Sequence, residues 1–383
     1  MDFKLTRSQK DIQKAARDFA KGEFDKELAM EMDSNRTFPQ ELHQRASELG
    51  FIGIHFDEAY SGGGLSYLEN VLMVEELCRK DATMGSALML AAYGAEFLLR
   101  SGSGELKQAF IPQVVEGNML ASAAIPETSP MNGSHPLSLT AEKTADSWVI
   151  NGRVNHVING GAADFCCALC RTDTEASPDK GLSMMLVEGD RDGLLVIDGV
   201  ESLGLRMTAI SDLHFENVQV PLSNLIGKAG QGLKQLLAFT RESRVLMAGL
   251  ALGIGQGALD RTINYVKQRE QFGQKIGRFQ VTAHKLADMA LSMEQARSLT
   301  YQAAWSLNQK KPDPRLTSMA KLAATRAALT VAHEAIQLHG GYGYTSEYEV
   351  ERFCRDAKTL EIMGGTTGPL KDDIANTIIK KIK

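Results

Sequence analysis

Apolar positions recur with a helical period over the first 120 residues of the chain. In SQKDIQKAARDFAKGEF, Ile12, Ala16 and Phe19 fall on one side of a helix, and Ser8 precedes them as the predicted cap. The same spacing returns in four later stretches, which are separated by glycine-rich turns such as SGGGLS. These predicted helices cover 39–50, 67–80, 84–100 and 104–116.

Between about 121 and 230 the pattern changes to short apolar runs with frequent turn residues. The runs are typical of β-strands and read SWVINGRVNHVING, DFCCALCRT, GLSMMLVEG and SDLHFENVQVP. The pair Asn151-Gly152 stands between two apolar runs, which predicts a hairpin turn at that point.

Long amphipathic stretches return after residue 230, at 231–269, 279–309 and 314–339. Each is much longer than an average globular helix, and Pro312 and Pro314 mark a turn between two of them. Long helices in series predict an antiparallel bundle.

These patterns together predict a fold of the α+β class that is mainly α. Its three domains would be a helical domain over 1–120, a β barrel or sandwich over 121–230 and a helical bundle over 231–383. A chain of 383 residues exceeds one ordinary core, which agrees with several domains.

Composition narrows the class of protein. Hydrophobic residues make up 43% and charged residues 23%, as in soluble globular proteins. A net charge of -5 argues against a nucleic-acid partner, and no apolar run reaches the roughly 18 residues of a membrane span. The start lacks the apolar core of a signal peptide, and the odd count of five cysteines fits a reducing compartment. We therefore expect a cytoplasmic protein.

Two local motifs favour ordinary structure over chemistry. Cys167 and Cys170 have metal-ligand spacing, but no second cysteine pair exists, and His156 and His214 are not at ligand spacing. We therefore expect buried structural cysteines and no metal site. A G-x-S-x-G nucleophile motif is absent from the sequence.

Two other stretches suit a nucleotide. In REQFGQKIGRFQ, Arg269 could bind a pyrophosphate and Phe272 an adenine ring. In QLHGGYGY, the paired glycines Gly340 and Gly341 let a ligand approach the backbone. Either stretch alone is also compatible with an ordinary helix end.

Taken in order, the motifs resemble the acyl-CoA dehydrogenase family over essentially the whole chain. The matching stretches are GFIGIHFDEAYSGGGLSY, VINGRVNHVINGG, LGLRMTAISDLHFENVQVPLSNLIG, REQFGQKIGRFQVTAHKLADM, QLHGGYGYTSEYEVERFCRDAK and IMGGTT. The resemblance implies a C-terminal four-helix bundle, FAD as cofactor and an acyl-CoA thioester as substrate. It also implies a homotetramer, built as a dimer of dimers, and an electron-transfer flavoprotein as the redox partner.

The resemblance also implies which residues bind. Arg269 and Phe272 would hold the pyrophosphate and adenine of a neighbouring subunit's FAD. Further cofactor contacts would come from Thr128, Ser134, His156, Ile158, Gln337, Gly340, Gly341 and Thr366. Ser134 would also lie near the CoA pyrophosphate, and Arg244 beside the thioester. The other implied substrate contacts are Met89, Leu90, Ser243 and Gly365.

The chain departs from the family pattern at the catalytic base. The family reads I-Y-E-G-T where this chain reads Ile-Met-Gly-Gly-Thr, so Gly364 replaces the glutamate that removes the α-proton. Some members carry the base immediately before the arginine matched by Arg244, and that position is Ser243. Glu242 is adjacent, but one step along a helix is about 100° of rotation, so we expect it to face elsewhere.

Positions around the flavin ring differ as well. His156 replaces the tryptophan that usually flanks the flavin, and Ile158 replaces the threonine that usually donates to it. His135 replaces an aspartate in the PETSPMNGSH stretch. These changes lie near the reactive edge rather than near the adenine, so we expect FAD binding to be kept and the chemistry to be altered.

Gly364 still carries a backbone N–H. In the family that amide polarises the thioester carbonyl, as in an oxyanion hole. A positioned base contributes about 10²–10⁴-fold, so ordinary α,β-dehydrogenation is expected to be weak unless another group moves the proton.

Three kinds of function fit a site of this composition. One is redox chemistry with a relocated proton-transfer residue, and the second is non-oxidative cleavage by a decarboxylase- or desulfinase-like lyase. The third is flavin binding without catalysis. Helix 85–97 carries an apolar pocket face from Ser86 to Tyr93 and no arginine for an anionic acyl tail. We therefore favour redox on an apolar, cyclic or unsaturated acyl group. The candidate proton-transfer residues are Glu242, Tyr93, His156, Glu96 and His135.

Overall fold

The chain folds as helices, then a sheet, then helices, in a computed structural model that describes residues 4–125, 139–177, 180–197, 201–309 and 313–379. Seven helices come first, and α1 begins with a capping box between Thr6 and Gln9. Their bounds are α1 (Arg7–Glu23), α2 (Lys26–Asn35), α3 (Gln40–Glu48), α4 (Tyr67–Lys80), α5 (Ala82–Leu90), α6 (Ala95–Ser101) and α7 (Gly104–Val115).

One mixed eight-stranded sheet follows. Its strands are β1 (Ala121–Ala124), β2 (Leu139–Lys143), β3 (Ser147–Val157), β4 (Phe165–Arg171), β5 (Leu182–Glu188), β6 (Leu194–Ile197), β7 (Ser211–Pro221) and β8 (Leu225–Ile226). The spatial order is β6-β7-β3-β2-β4-β5-β8, with β1 parallel to β4. The mainly helical fold with a β domain in its middle is thus confirmed.

Five helices and a short hairpin complete the described chain. They are α8 (Gly232–Gln268), β9 (Glu270–Gln271), β10 (Gln274–Lys275), α9 (Gln280–Leu307), α10 (Pro314–His339), α11 (Val350–Ile362) and α12 (Thr367–Ile379). Helix α10 packs against α8, α9 and α11, while α8 also packs against α4. The chain thus changes from helix to sheet between α7 and β1, and from sheet to helix between β8 and α8.

The sheet separates two hydrophobic cores. On β4, Cys167 and Leu169 face the large core of the helices, while Cys166, Ala168 and Cys170 face a second core within the sheet. Alternation with a period of two explains this division, and burial on both faces explains the continuous apolar run. All five cysteines are free thiols.

The predicted helix over 84–100 is two helices. The chain turns over 91–94, because strand β1 passes against this point. Gly94 N–H donates to Ala121 O at 3.0 Å, and Ala121 N–H donates to Ala91 O at 2.8 Å. A Cβ on Gly94 would lie 1.9 Å from Ser122 O, so only glycine fits. The 82–101 stretch has the length and hydropathy of a membrane span, but 83% of its most apolar window is buried inside the protein.

Two local predictions were wrong. The first helix is capped by Thr6, whose side chain accepts from Gln9 N–H, and Ser8 lies inside the helix. Asn151 and Gly152 form no hairpin turn but lie within β3, at an irregularity in its pairing with β7. Gly152 has a φ of 123, and the Asn151 side chain accepts from Asn217 N–H at 2.8 Å, so the pair serves a bulge.

Replacing Gly94 with alanine should lower the free energy of unfolding by about 1–3 kcal/mol or more, because the added Cβ collides with the backbone of β1. Gly94 has a φ of -75 and a ψ of -24, which alanine adopts freely, so the expected loss is steric. Urea unfolding measures it. Gly104→Ala is the matched control, since its Cβ would meet nothing within 4 Å. Equal stability of the two variants would contradict the collision.

Candidate active site

The loop between α11 and α12 carries Gly364, at the position where the sequence resemblance places a base, and Gly365 after it. Helix α11 ends at Ile362, and Met363 N–H donates to Thr359 O at 2.9 Å. Gly364 and Gly365 then have φ values of 73 and 110, in the region that favours glycine. Helix α12 begins two residues later, at Thr367.

A cavity opens beside α8 and is walled by α4, α5, α6, the turn after α5 and the loop after α3. One wall is apolar and contains Leu88, Met89, Phe239 and Leu246. The other lining residues are Phe51, Ile52, Gly53, His55, Phe56, Tyr67, Asn70, Ala92, Tyr93, Glu96, Glu242 and Ser243. Met89 therefore contributes to the wall as expected, whereas Leu90 is not among the lining residues. Leu90 O instead accepts from the Asn159 side chain at 3.0 Å.

Gly364 and Ser243 face each other. A Cβ on Gly364 would lie 3.4 Å from Ser243 Oγ and 3.0 Å from Met247 Cγ. The two positions where family members carry a base are therefore neighbours in space, and neither holds a carboxylate here. The Tyr93 hydroxyl lies 2.7 Å from Ser243 Oγ, so a phenol reaches the same place from helix α5's end. Burial raises the pKa of Tyr93 to about 12.

A second group of polar side chains lines the cavity. Tyr67 OH donates to Glu96 Oε1 at 2.9 Å, and His55 Nε2 lies 2.5 Å from the same oxygen. Glu242 is paired with Arg100. These buried groups make the pocket more polar than the helical pattern of 85–97 predicts, because His55, Tyr67 and Glu242 come from other segments.

The two glutamates differ in their ionisation. Burial, and then the charge of Glu96, raise the pKa of Glu242 to about 8, although Arg100 opposes this. Burial also disfavours the charge on Glu96, but His55 and the hydrogen bonds from His55 and Tyr67 outweigh it and lower the pKa of Glu96. The two shifts are opposite, so Glu242 holds a proton more tightly than Glu96 does.

The structure corrects the expected orientation of Glu242. One helical step was expected to turn it away from the substrate side, yet Glu242 and Ser243 both line the cavity. The cavity extends around α8 toward α6, where Arg100 meets Glu242, so it receives two adjacent residues of one helix.

Two buried cations lie beneath the Gly364 loop. Arg244 donates to Ser318 Oγ at 2.9 Å and pairs with Asp373 at 2.6 Å. Its Nη2 would lie 3.9 Å from a Cβ on Gly365. The second cation, Lys321, is fully buried on α10 and was not among the residues predicted from the sequence. A lysine on the apolar face of a long helix was the signal that could have revealed it.

Three residues were expected around the flavin ring. His156 lies near the end of β3, Ile158 directly follows β3, and Thr366 lies after α11. His156 N–H donates to Asp212 Oδ1 at 2.8 Å, and Ile158 is half-buried against the helical core. Thr366 is exposed on the loop before α12. Thr128, Ser134 and His135 lie outside the described residues.

The residues expected at the adenine end lie together on one surface. The Arg269 guanidinium is 5.6 Å from the ring centre of Tyr342, which follows Gly340 and Gly341. Gln337 is exposed on the last turn of α10 before them. Phe272 is 93% exposed and has a φ of 51, an unusual conformation for a side chain of its size.

This surface fits the adenine half of FAD. Added Cβ atoms on Gly340 and Gly341 would meet nothing within 4 Å, so the backbone there is open to a ligand. An exposed phenyl ring suits an adenine, and a guanidinium suits a pyrophosphate.

Comparisons with known proteins point in one direction. Models of the acyl-CoA dehydrogenase N-terminal, middle and C-terminal domains match residues 6–118, 124–218 and 230–379. The chain is 34% identical over 383 residues to a short-chain specific acyl-CoA dehydrogenase of Clostridium acetobutylicum, covering 99% of this chain and 100% of that protein. It is 32% identical over 383 residues to an acryloyl-CoA reductase (NADH) of Anaerotignum propionicum, covering 100% and 97%.

A solved structure agrees. Butyryl-CoA dehydrogenase from Megasphaera elsdenii superposes with a TM-score of 0.93 at 32% identity, covering 99% of this chain and 100% of that chain.

The raised pKa of Glu242 predicts a pH-dependent contribution to stability. A carboxyl that binds its proton more tightly in the folded state stabilises the fold below its unfolded pKa of 4.5, and this contribution is lost as pH rises through about 8. The free energy of unfolding of the wild type, minus that of Glu242→Gln, should therefore fall steadily from pH 5 to pH 8. Denaturant titrations at several pH values measure it. Glu105→Gln, at an exposed carboxylate, is the control; a pH-independent difference for Glu242→Gln would refute the assignment.

Proposed function

Since the chain belongs to the acyl-CoA dehydrogenase family, we propose that it is an FAD-dependent oxidoreductase that acts on an acyl-CoA thioester with an apolar acyl group, cyclic or already unsaturated groups included. The observation that carries the proposal is the contact of Tyr93 with Ser243 opposite Gly364. FAD, when bound, supplies the hydride acceptor or donor at the acyl β-carbon.

Tyr93 is the relocated proton-transfer residue in this proposal. Its hydroxyl approaches the place that a base would occupy, and Ser243 orients it through a hydrogen bond. With its pKa raised to about 12, the phenol holds its proton at neutral pH, so it serves as a proton donor rather than a base. This favours delivery of a proton to the acyl α-carbon, which is the direction of enoyl-CoA reduction. An acryloyl-CoA reductase among the relatives is in keeping with that direction.

The backbone of the glycine loop takes the remaining role. The Gly364 N–H polarises the thioester carbonyl and stabilises the enolate, a task that needs no side chain. Glu242 is the second candidate for proton transfer, because it lines the same cavity and burial raises its pKa to about 8. His156 is a third candidate, on the flavin side.

The cavity wall favours redox chemistry over cleavage. No arginine or lysine is among its lining residues in the described part of the chain, whereas Glu96 and Glu242 both contribute carboxyl groups. A substrate that loses CO₂ or a sulfur oxyanion carries a negative charge of its own, and Glu96 would repel it. A decarboxylase- or desulfinase-like lyase is therefore the weaker alternative.

Two groups of residues would hold the cofactor, and a third would hold the substrate. Arg269, Phe272, Gln337, Gly340 and Gly341 bind the adenine half of FAD, and His156, Ile158 and Thr366 lie near its ring. Arg244, Ser243, Gly365 and Met89 surround the thioester and acyl group, whereas Leu90 is not among the cavity-lining residues. Thr128 and Ser134, outside the described residues, complete the set.

Assembly and partners follow from the same proposal. The protein forms a homotetramer, in which Phe272 of one subunit meets the cofactor of another; its 93% exposure within one chain supports this. An electron-transfer flavoprotein exchanges electrons with it. Five free cysteines support a reducing, cytoplasmic location.

Anaerobic titration of the FAD-loaded protein with a panel of acyl-CoA and enoyl-CoA thioesters tests the proposal. Saturated substrates should bleach the oxidised flavin, or enoyl-CoA substrates should reoxidise the chemically reduced flavin, and mass spectrometry should show a product changed by two hydrogens. Turnover without an electron acceptor and with loss of CO₂ would establish the lyase instead. Binding with no turnover of any thioester would leave a non-catalytic flavoprotein.

Replacing Gly364 with glutamate should create a base for α-proton removal, because the new side chain starts 3.4 Å from Oγ of Ser243, which lines the cavity. We expect exchange of the substrate's α-hydrogens with deuterated water to rise by about 10²–10⁴-fold, as a positioned base provides. Gly364→Gln is the matched control, since it has the same size and the same strain at a φ of 73 but no basic carboxylate. Equal exchange in both variants would mean that the missing glutamate is not the main departure.

A further inference from the structure

The Gly364 amide can act on a thioester only if the loop holds it in one direction. Gly364 and Gly365 both have positive φ values, and glycine is the residue with the greatest backbone freedom. Two glycines in succession would leave the N–H poorly directed unless neighbouring groups fix the peptide planes around them. Helix α10 supplies such a group in Lys321.

Lys321 reaches this loop from below. Its Nζ donates to Glu361 O at 3.0 Å and to Gly365 O at 2.5 Å. Glu361 lies in the last turn of α11, where carbonyl groups have no partner within the helix. The two acceptors therefore stand on either side of Met363 and Gly364, and one ammonium group connects them.

The position is unfavourable for a charge. Lys321 is fully buried, and burial, followed by the nearby Arg244, lowers the pKa of Lys321 to about 7, while Glu361 opposes the shift. The other charged groups at this junction are paired elsewhere, Arg244 with Asp373 of α12 and the Glu361 carboxylate with Lys358. An apolar side chain would suit this face of α10 better, since a buried ammonium is costly unless its hydrogen bonds compensate. The hydrogen bonds to the loop are what the lysine supplies.

We propose that Lys321 is a positioning residue, which ties the end of α11 to the Gly365 carbonyl and thereby directs the Gly364 N–H toward the thioester oxygen. The proposal rests on the role of that amide in the proposed function. Lys321 touches neither substrate nor cofactor in it; the lysine acts through the loop.

The experiment measures how well the site stabilises an enolate, without any turnover. Acetoacetyl-CoA has an acidic α-carbon, and its enolate has its own ultraviolet absorbance, so a pH titration of the complex with the FAD-loaded protein gives the pKa of the bound ligand. The wild type should lower that pKa relative to free acetoacetyl-CoA. Lys321→Met keeps a side chain of similar length without the ammonium group. It should weaken this stabilisation of the enolate by about 10–100-fold, as misplacement of a catalytic group does, and the pKa of the bound ligand should rise accordingly. Ligand affinity at low pH, where the ligand is neutral, should change much less.

Two further variants separate positioning from general stability. Thr325→Val lies one turn along the same buried face and removes a hydrogen bond to Lys321 O inside α10, so it should lower the melting temperature and leave the bound ligand's pKa unchanged. Lys321→Gln retains a neutral N–H donor and should recover part of the effect; it also carries the test if the methionine variant does not fold.

The outcomes are distinct. An unchanged ligand pKa in Lys321→Met or, where that fails to fold, in Lys321→Gln would overturn the positioning role and leave the proposed function standing. The same shift in Thr325→Val would overturn it too, because the effect would then be one of general destabilisation. A wild type that binds acetoacetyl-CoA without lowering its pKa would refute the amide's role and the positioning role together.

Discussion

The close approach of helices α4 and α8 is the contact on which the rest of the molecule depends. Added Cβ atoms on Gly253 and Gly257 of α8 would lie 2.5 Å from Glu75 O and 2.4 Å from Arg79 O of α4. No side chain fits between the two backbones, so the helices touch at these glycines and diverge toward the start of each helix. The cavity lies where they have separated, between Tyr67 of α4 and Glu242 of α8. A larger residue at either glycine would shift α8 and every cavity group that it carries.

Helix α8 also packs against α10, so the position of α8 determines which groups meet on both of its sides. One side presents Glu242 and Ser243 to the cavity, and the next residue, Arg244, reaches the loop after α11. The absence of a carboxylate at Ser243 and at Gly364 leaves a phenol as the nearest acidic group. In the proposed function, a site that would otherwise remove protons thus becomes one that donates them, while the backbone donor proposed to stabilise an enolate is unaffected.

The sequence predicted regular structure better than it predicted the exceptions. Helices α4, α7, α8, α9 and α10 lie within about three residues of their predicted bounds, since a long hydrophobic period leaves few alternatives. The break at Gly94 was not predictable, because it is imposed by strand β1 from another part of the chain. The hairpin turn predicted at Asn151-Gly152 was wrong for a similar reason. The two residue types favour turns, but pairing with β7 places them in a bulge of β3.

For the site, motif order singled out the Gly364–Gly365 loop and the surface of Arg269, Phe272 and Gly340, whose binding roles stay predictions, but it did not indicate which buried polar groups meet. Lys321 and the Glu96–Glu242 pair are placed by tertiary contacts alone.

The exposed ring of Phe272 has a consequence for how the proposed assembly behaves on dilution. If a subunit completes the cofactor site of its neighbour, then subunit association and FAD retention are one linked equilibrium. Each process stabilises the other by mass action, so flavin content becomes a function of protein concentration rather than a fixed property of the chain. At low concentration the protein would lose its colour and its quaternary structure together, and added FAD would restore both.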